Sequence, residues 1–280
     1  MEAIIHYFGN ITSAHRSAII IGGLTIFFLI ENALPLFTNK YNKWKHSGLN
    51  IFFTFTTILV NFLMAFILVG TSDWVVSNGI GLLQMTSNNI YYHLVVGLLA
   101  LDLVGAWLPH WVAHHVKWIW QFHLIHHTDQ HVDTTTANRH HPGESVVRFT
   151  FTTIAVIIVG APMWLVFLYQ SLSVVLTQFN HSNVKMPNWL DYPLSFIICT
   201  PNMHRVHHHY RQPYSDTNYG NIFSFWDRLF GTYIKVDNSK LIYGVDTYMN
   251  TNEAQNVGNL LKIPFAGYRN PIVYDKEEML

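Results

Sequence analysis

The chain is 280 residues long, half of them hydrophobic and only 11% charged, with 16 basic residues balancing 16 acidic ones. A soluble domain runs nearer a quarter charged, so this composition, with its positive mean hydropathy, predicts a membrane protein. The neutral balance gives no reason to expect a nucleic-acid partner, and a single cysteine, Cys199, excludes an intrachain disulfide and argues against thiolate metal sites.

A helix that crosses a bilayer needs about 20 mostly apolar residues. Ser17 to Phe37 meets that need, with Glu31 in its second half; Leu49 to Gly70 gives a second span, and Ile90 to Leu108 a third, with Asp102 inside it. No signal-peptide pattern precedes the first run, so it reads as a retained anchor. Between the first two runs, TNKYNKWKHSG carries Lys40, Lys43 and Lys45, and the positive-inside rule places that loop in the cytoplasm. The third span then returns to the cytoplasmic face. Val146 to Phe179 is a longer apolar run broken at Gly160 to Pro162. Each half is about 15 residues, short for a full crossing, so a helical hairpin that dips in and returns is the simplest expectation, bringing Asn180 and His181 to the cytoplasmic side; two full crossings of a thinned region would give the same sidedness. The expected architecture is an all-α integral membrane protein of about four transmembrane helices, three spans plus the hairpin, under a cytosolic histidine-rich cap for two metals. Residues 1–90 form its N-terminal membrane region, 91–235 the histidine-rich domain and 236–280 a cytosolic C-terminal tail.

Fourteen of the 18 histidines lie between His110 and His209, and three groups have helix-face spacing. HWVAH sets His110 and His114 four apart; HLIHH sets His123, His126 and His127, and HRVHH sets His204, His207 and His208, at i, i+3 and i+4. Residues so spaced stand one above another on a helix. Each box therefore offers two or three imidazoles to one point, and imidazole suits Zn, Cu, Fe and Ni. Clustering protonatable rings at a membrane edge is costly unless something holds them neutral, which a metal does. His181 in FNHSN and His141 in RHHPGE are further candidates; ten ligands shared by two metals leave each near an octahedron with one open position. His115, His131, His140 and His209 fall off the box spacing and are assigned to solvent or to supporting contacts, and His6, His15, His46 and His93 to ordinary packing. Ligating histidines commonly donate their other N–H to a carboxylate or carbonyl. Asp102, two turns before His110, is the leading candidate orienter, with Asp129, Asp133, Glu144, Asp216 and Asp227 behind it. No box holds the glutamate of HExxH, against a zinc peptidase. The ionisable residues gather at one face instead of lining a path, against a transporter or metal store.

Taken in order, HWVAHHVKWIWQFHLIHHTD, TTTANRHHPGE, FNHSN, TPNMHRVHHH and DTNYGNIFSFWDRLFGTY resemble the membrane-bound fatty acid hydroxylase / sterol desaturase superfamily, over roughly Tyr92 to Tyr233. The resemblance implies two non-haem irons, which zinc can replace in isolated protein, and O2-dependent hydroxylation or desaturation of a membrane-lipid C–H bond. It carries over His110, His114, His123, His126, His127, His181, His204, His207 and His208 as ligands, with His141 in the HP position; Asp102, Glu144, Asn218 and Asp227 are expected as the supports behind them. Two positions depart from the family pattern: Trp111 where Arg is common, and His140 before HP, which leaves His140 and His141 as alternatives. The chain has no Rossmann glycine fingerprint and no iron–sulfur cysteine set, so a separate electron donor is expected, cytochrome b5-like or a ferredoxin with its reductase. A pterin-dependent, alkylglycerol-type ether-lipid monooxygenase is the close alternative. No retrieval signal for the endoplasmic reticulum ends the chain, which favours a bacterial inner membrane over that compartment, with the active site on the cytoplasmic side.

Overall fold

The computed structural model describes residues 1–38, 41–86 and 89–272; Lys40 and the last eight residues lie outside it. It is helical, and among the described residues the extended pairings are isolated bridges. A short α1 (Glu2–Gly9) precedes α2 (Ser13–Ala33), which Thr12 caps by accepting from the His15 backbone N–H. Next come α3 (Lys43–Ser77), capped by Asn42, the short α4 (Leu82–Thr86), and α5 (Ile90–Asp102). α5 continues through a π turn at Leu103–Trp107 into α6 (Leu108–His115). The π turn has a local cause. Pro109 has no N–H to donate and its ring crowds the carbonyl of Gly105, and Leu108 N–H reaches back five residues to Leu103 O. The remaining long elements are α7 (Lys117–His127), α8 (Pro142–Val159) and α9 (Met163–His181). Short helices follow: α10 (Asn188–Leu194), α11 (Pro201–His207), α12 (Phe225–Leu229), α13 (Thr251–Ala254) and α14 (Val257–Lys262).

Among the described residues, four helical runs are long and apolar enough to cross a membrane: α2, the run begun by α3, the continuous α5–α6 helix of 26 residues, and α8. Phe55, Phe62, Leu63 and Phe66 of α3 stay exposed, as a lipid-facing surface requires. The main apolar core joins α3, α5, α8 and α9 through Leu68, Val75, Leu101, Val156, Leu165 and Val166. The run expected to dip in and return forms α8 and α9, which run out and back through the Gly160–Pro162 turn, but its arms are 18 and 19 residues, longer than the halves read from the sequence; α8 alone is long and apolar enough to cross, and α5 packs against both arms. Its turn is tight. Gly160 ends α8 at φ 69°, Gly81 faces it at φ 98°, and a Cβ on Gly81 would stand 2.3 Å from Gly160 N. Ser72 Oγ donates to Ala161 O at 2.8 Å and Gln84 Nε2 to Gly160 O at 2.8 Å, clamping the turn against the ends of α3 and α4.

The opposite ends of these helices converge. Glu31, near the end of α2, is 1% exposed; it accepts from Lys43 Nζ at the start of α3 and from the backbone N–H groups of Thr134 and Asn183. Lys43 and Lys45 thus belong to the first turn of α3, not to a free loop. The C-terminal segment expected as a tail packs instead: Val245, Tyr248, Leu260 and Ile263 are buried with Leu49, Phe53, Leu124 and Ile125, and Arg139 donates to Ala254 O.

Candidate metal centre

Four helices deliver histidines from their last turns: His114 from α6, His126 and His127 from α7, His181 from α9, and His204 and His207 from α11. The exposed carbonyls of a helix C-terminus carry partial negative charge that favours a cation. Helix direction and ring placement therefore act together.

The rings assemble into two sets, each with ligand atoms within 4.8 Å of one another: His110, His114, His123, His127 and His207 in one, and His126, His181, His204 and His208 in the other. The sets abut, with the rings of His127 and His208 4.9 Å apart. Several ring nitrogens converge in pairs. His123 Nε2 lies 3.2 Å from His127 Nε2, and His181 Nε2 lies 3.1 Å from both His126 Nε2 and His204 Nε2. Two nitrogens bound at about 2.1 Å and at right angles on one ion stand about 3.0 Å apart. The buried Nε2 atoms of His110, His114, His207 and His208 have no hydrogen-bond partner, and such orphaned atoms are costly unless something not shown satisfies them. The donor set thus fits two imidazole-bound ions. A third grouping, His123 with His140 and Glu144, shares His123 with the first set.

Most of the outward-facing Nδ1 atoms are held by acceptors, which sets the tautomer. His110 donates to Tyr219 O at 2.9 Å, His207 to Thr217 O at 2.8 Å and His181 to Thr177 O at 2.7 Å. His114 donates to Asp216 Oδ1 at 3.0 Å and His123 to Glu144 Oε1 at 2.8 Å. Each arrangement leaves Nε2 free for an ion. Burial, aided by neighbouring imidazoles, pushes His126, His127, His207 and His208 well below the usual histidine range. Burial takes His204 to about 3, and takes His123 to about 4 against the pull of Glu144. The rings are therefore neutral near neutral pH, as ligation requires.

Two sequence expectations need correction, His141 as a ligand and Asp102 as an orienter of a histidine. His141 is in neither set; it stands at the N-cap of α8, its Nδ1 accepts from Gly143 N at 2.9 Å, and its ring lies against Phe122. His140 is the inward neighbour, stacked 4.7 Å from His126, but both its nitrogens face oxygens, Glu144 Oε2 at 3.0 Å and Ala137 O at 3.1 Å. Asp102 touches no histidine. It accepts from Ile222 N, Phe223 N and Trp226 Nε1, and so pins the loop after Tyr219 to the π turn. Asp227 and Asn218 likewise act through backbone. Asp227 accepts from Tyr219 N and Gly220 N, fixing the carbonyl that holds His110, and Asn218, at φ 53°, donates to Met203 O beside His204. Of the weaker candidates, Asp216 reaches His114 directly, whereas Asp129 and Asp133 sit behind the second box. There His46 Nε2 donates to Asp129 at 2.8 Å, and Asn50 and Arg139 complete the network. His115, His131 and His209 stay outside both sets.

Residues 94–232, about half the chain, match the fatty acid hydroxylase family. The chain belongs to the fatty acid hydroxylase superfamily. Among curated relatives, the ornithine lipid hydroxylase of Rhizobium tropici is 28% identical over 51% of this chain and 42% of its own length. The alkylglycerol monooxygenases of Homo sapiens and Xenopus tropicalis are 31% and 33% identical, each over 55% of this chain and 33% of the relative. The chain thus matches well under two thirds of these relatives' lengths. No solved structure matches it. Within the fatty acid hydroxylase region lie all nine clustered histidines, together with Asp102, Glu144, Asp216 and Asp227.

Proposed function

We propose that the protein is an O2-dependent di-iron lipid hydroxylase or desaturase that acts on a C–H bond of a membrane lipid. The observation that carries this reading is the pair of abutting imidazole sets, five and four rings, with unpartnered buried nitrogens facing inward. Two irons held there would supply oxygen activation, which protein side chains cannot. In the hydroxylation, one oxygen atom enters the C–H bond and the other leaves as water, with two electrons, delivered one at a time, from a separate donor chain and two protons from solvent. The donor is expected to be cytochrome b5-like or a ferredoxin with its reductase. The chain's own residues position and protect. Glu144, Asp216 and the carbonyls of Thr177, Thr217 and Tyr219 hold the rings; the converging helix ends exclude water; the apolar helices below admit a lipid from the bilayer. Lys43 and Lys45, on the same end of the helices as the histidines, favour a cytoplasmic active site by the positive-inside rule. The alkylglycerol monooxygenases among the relatives favour one specific alternative, a pterin-dependent ether-lipid oxygenase.

The test is metal content with Mössbauer spectroscopy on protein purified in detergent from iron-57-fed cells. About two irons per chain with the spectrum of a coupled pair is the expected result. Iron at background level after anaerobic reconstitution would withdraw the di-iron reading. Turnover that requires tetrahydropterin and ignores protein donors would select the alternative.

A further inference from the structure

Beside α11, and lined by none of the clustered imidazoles, lies a cleft of about 500 Å³, within the range of small-ligand sites. One wall is the chain that follows α9, with Lys185 and Asp191; the other is the extended run with Lys235 and Asn238. Its floor includes Asn202 and Met203, and the next residue is the clustered His204.

The mouth of the cleft is built like a membrane interface. Tyr192 lines it, with its ring 5.1 Å from that of Phe196; these two and Trp189 and Ile197 nearby in the chain are 57%, 46%, 76% and 60% exposed, more apolar surface than water alone favours. Cations lie on its aromatic rings: Lys235 Nζ is 5.4 Å from the Tyr192 ring centre, and the Arg228 guanidinium is 4.7 Å from that of Phe196. Aromatic and basic side chains mixed in this way mark the headgroup layer of a bilayer.

Inside, the chemistry is two-signed. Asp191 is 8% exposed, and its Oδ1 is buried without a hydrogen-bond partner, as is Asn238 Oδ1. Both are acceptors. A buried acceptor left unpaired is costly, so the pair asks for a donor. Lys185 and Lys235, exposed at the walls, ask for an anion. We propose that this cleft binds the headgroup of an amine-bearing zwitterionic lipid. Its ammonium sits on Asp191 and Asn238, and its phosphate or carboxylate faces Lys185 and Lys235. The assignment rests on the reading of the chain as a lipid-modifying membrane protein, and it adds the class of headgroup. An ammonium carries three N–H donors; a quaternary choline carries none and leaves Asp191 unsatisfied, so the cleft discriminates between them.

The test uses the full chain in nanodiscs, with phosphatidylethanolamine, phosphatidylcholine or phosphatidylglycerol of identical acyl chains, and native mass spectrometry to count retained lipid. Phosphatidylethanolamine should be retained about tenfold over phosphatidylcholine, the effect of one buried acceptor satisfied or not. Asp191→Asn should bring it down to the phosphatidylcholine level. Equal retention of the two by the wild-type chain, or an unchanged preference in Asp191→Asn, overturns the proposal. Should that variant fail to fold, the surface pair Lys185→Ala with Lys235→Ala decides: retention of phosphatidylethanolamine should fall, and undiminished retention overturns the assignment. Binding of soluble phosphoethanolamine by the chain in phosphatidylglycerol nanodiscs as tight as its retention of phosphatidylethanolamine would assign the cleft to a free metabolite and overturn the lipid reading. Iron content measured on the same samples separates the two readings, since headgroup preference in a chain that takes up no iron would sink the di-iron function alone.

Discussion

His207 shows at the level of single atoms how the centre is held. Its Nδ1 donates to Thr217 O, which turns a partnerless Nε2 toward His110, His114 and His127. His207→Ala or His126→Ala is expected to empty the set to which it belongs, with metal content and turnover lost while the chain still inserts into membranes; full metal occupancy in both variants would refute the ligand assignment. Asp216→Asn and Glu144→Gln keep the rings but weaken their orientation, so metal affinity should fall by about 10–100-fold, read by competition with a chelator. Unaltered affinity in both would show these carboxylates to be bystanders. The depressed histidines also predict a pH dependence for the metal-free protein. His123 and His204 titrate at about 4 and about 3 when folded, against an ordinary 6.5. Between those values the unfolded chain binds more protons, so stability is fully present above pH 6.5 and is lost as pH falls toward 4. The melting temperature of chelated protein should drop across that window, and a flat profile would contradict the assignment. At this scale the boxes were legible because helical spacing is local. The choice between His140 and His141 was not. Pro142 starts α8 and makes His141 its cap, which turns that ring away, and no spacing rule reports such a turn. The carbonyls of Thr177, Thr217 and Tyr219 had no sequence signal at all, since every residue has one.

Among the elements, the α8–α9 hairpin and the α5–α6 helix do the positioning. Gly160 to Pro162 marked the turn in the sequence, but its partner, Gly81, became visible only when the two backbones met. Gly81→Ala places a methyl group against the Gly160 backbone at a positive φ, where nothing flexible can yield. A loss of about 1–3 kcal/mol is expected, seen as a lower melting temperature. Metal content should stay intact, because the turn lies a full length of α8, about 27 Å, from the histidine end. Loss of metal without loss of stability would mean that the hairpin couples to the site in another way. The π turn has similar logic. Asp102 was read as a ligand orienter because two helical turns separate it from His110, but the extra residue per turn and the loop at 221–226 claim it instead.

Over the whole molecule, the ends of α2, α6 and α9 and the starts of α3 and α8 meet around Glu31 and the imidazoles. Lys45 should therefore share a membrane side with the histidine cap, and Asn78, at the far end of α3, should lie opposite. In a Cys199→Ser background, Lys45→Cys and Asp237→Cys should react with an impermeant thiol reagent from one side, and Asn78→Cys from the other. Labelling of Lys45→Cys and Asp237→Cys from opposite sides would overturn this arrangement.

The sequence by itself determined the class of the molecule and the class of its chemistry: apolar runs long enough for a bilayer, and three imidazole boxes on helix faces. Both are short-range periodic patterns, which a linear reading can count. Tertiary structure decided how nine rings divide into two sets, which acceptors hold each one, and that 236–272 packs on the cap instead of trailing from it. It also placed Asp191, Lys185 and Lys235 around one cleft. Those outcomes depend on residues tens to hundreds of positions apart meeting in space, and on backbone carbonyls and turns whose direction is set by packing rather than by side-chain identity.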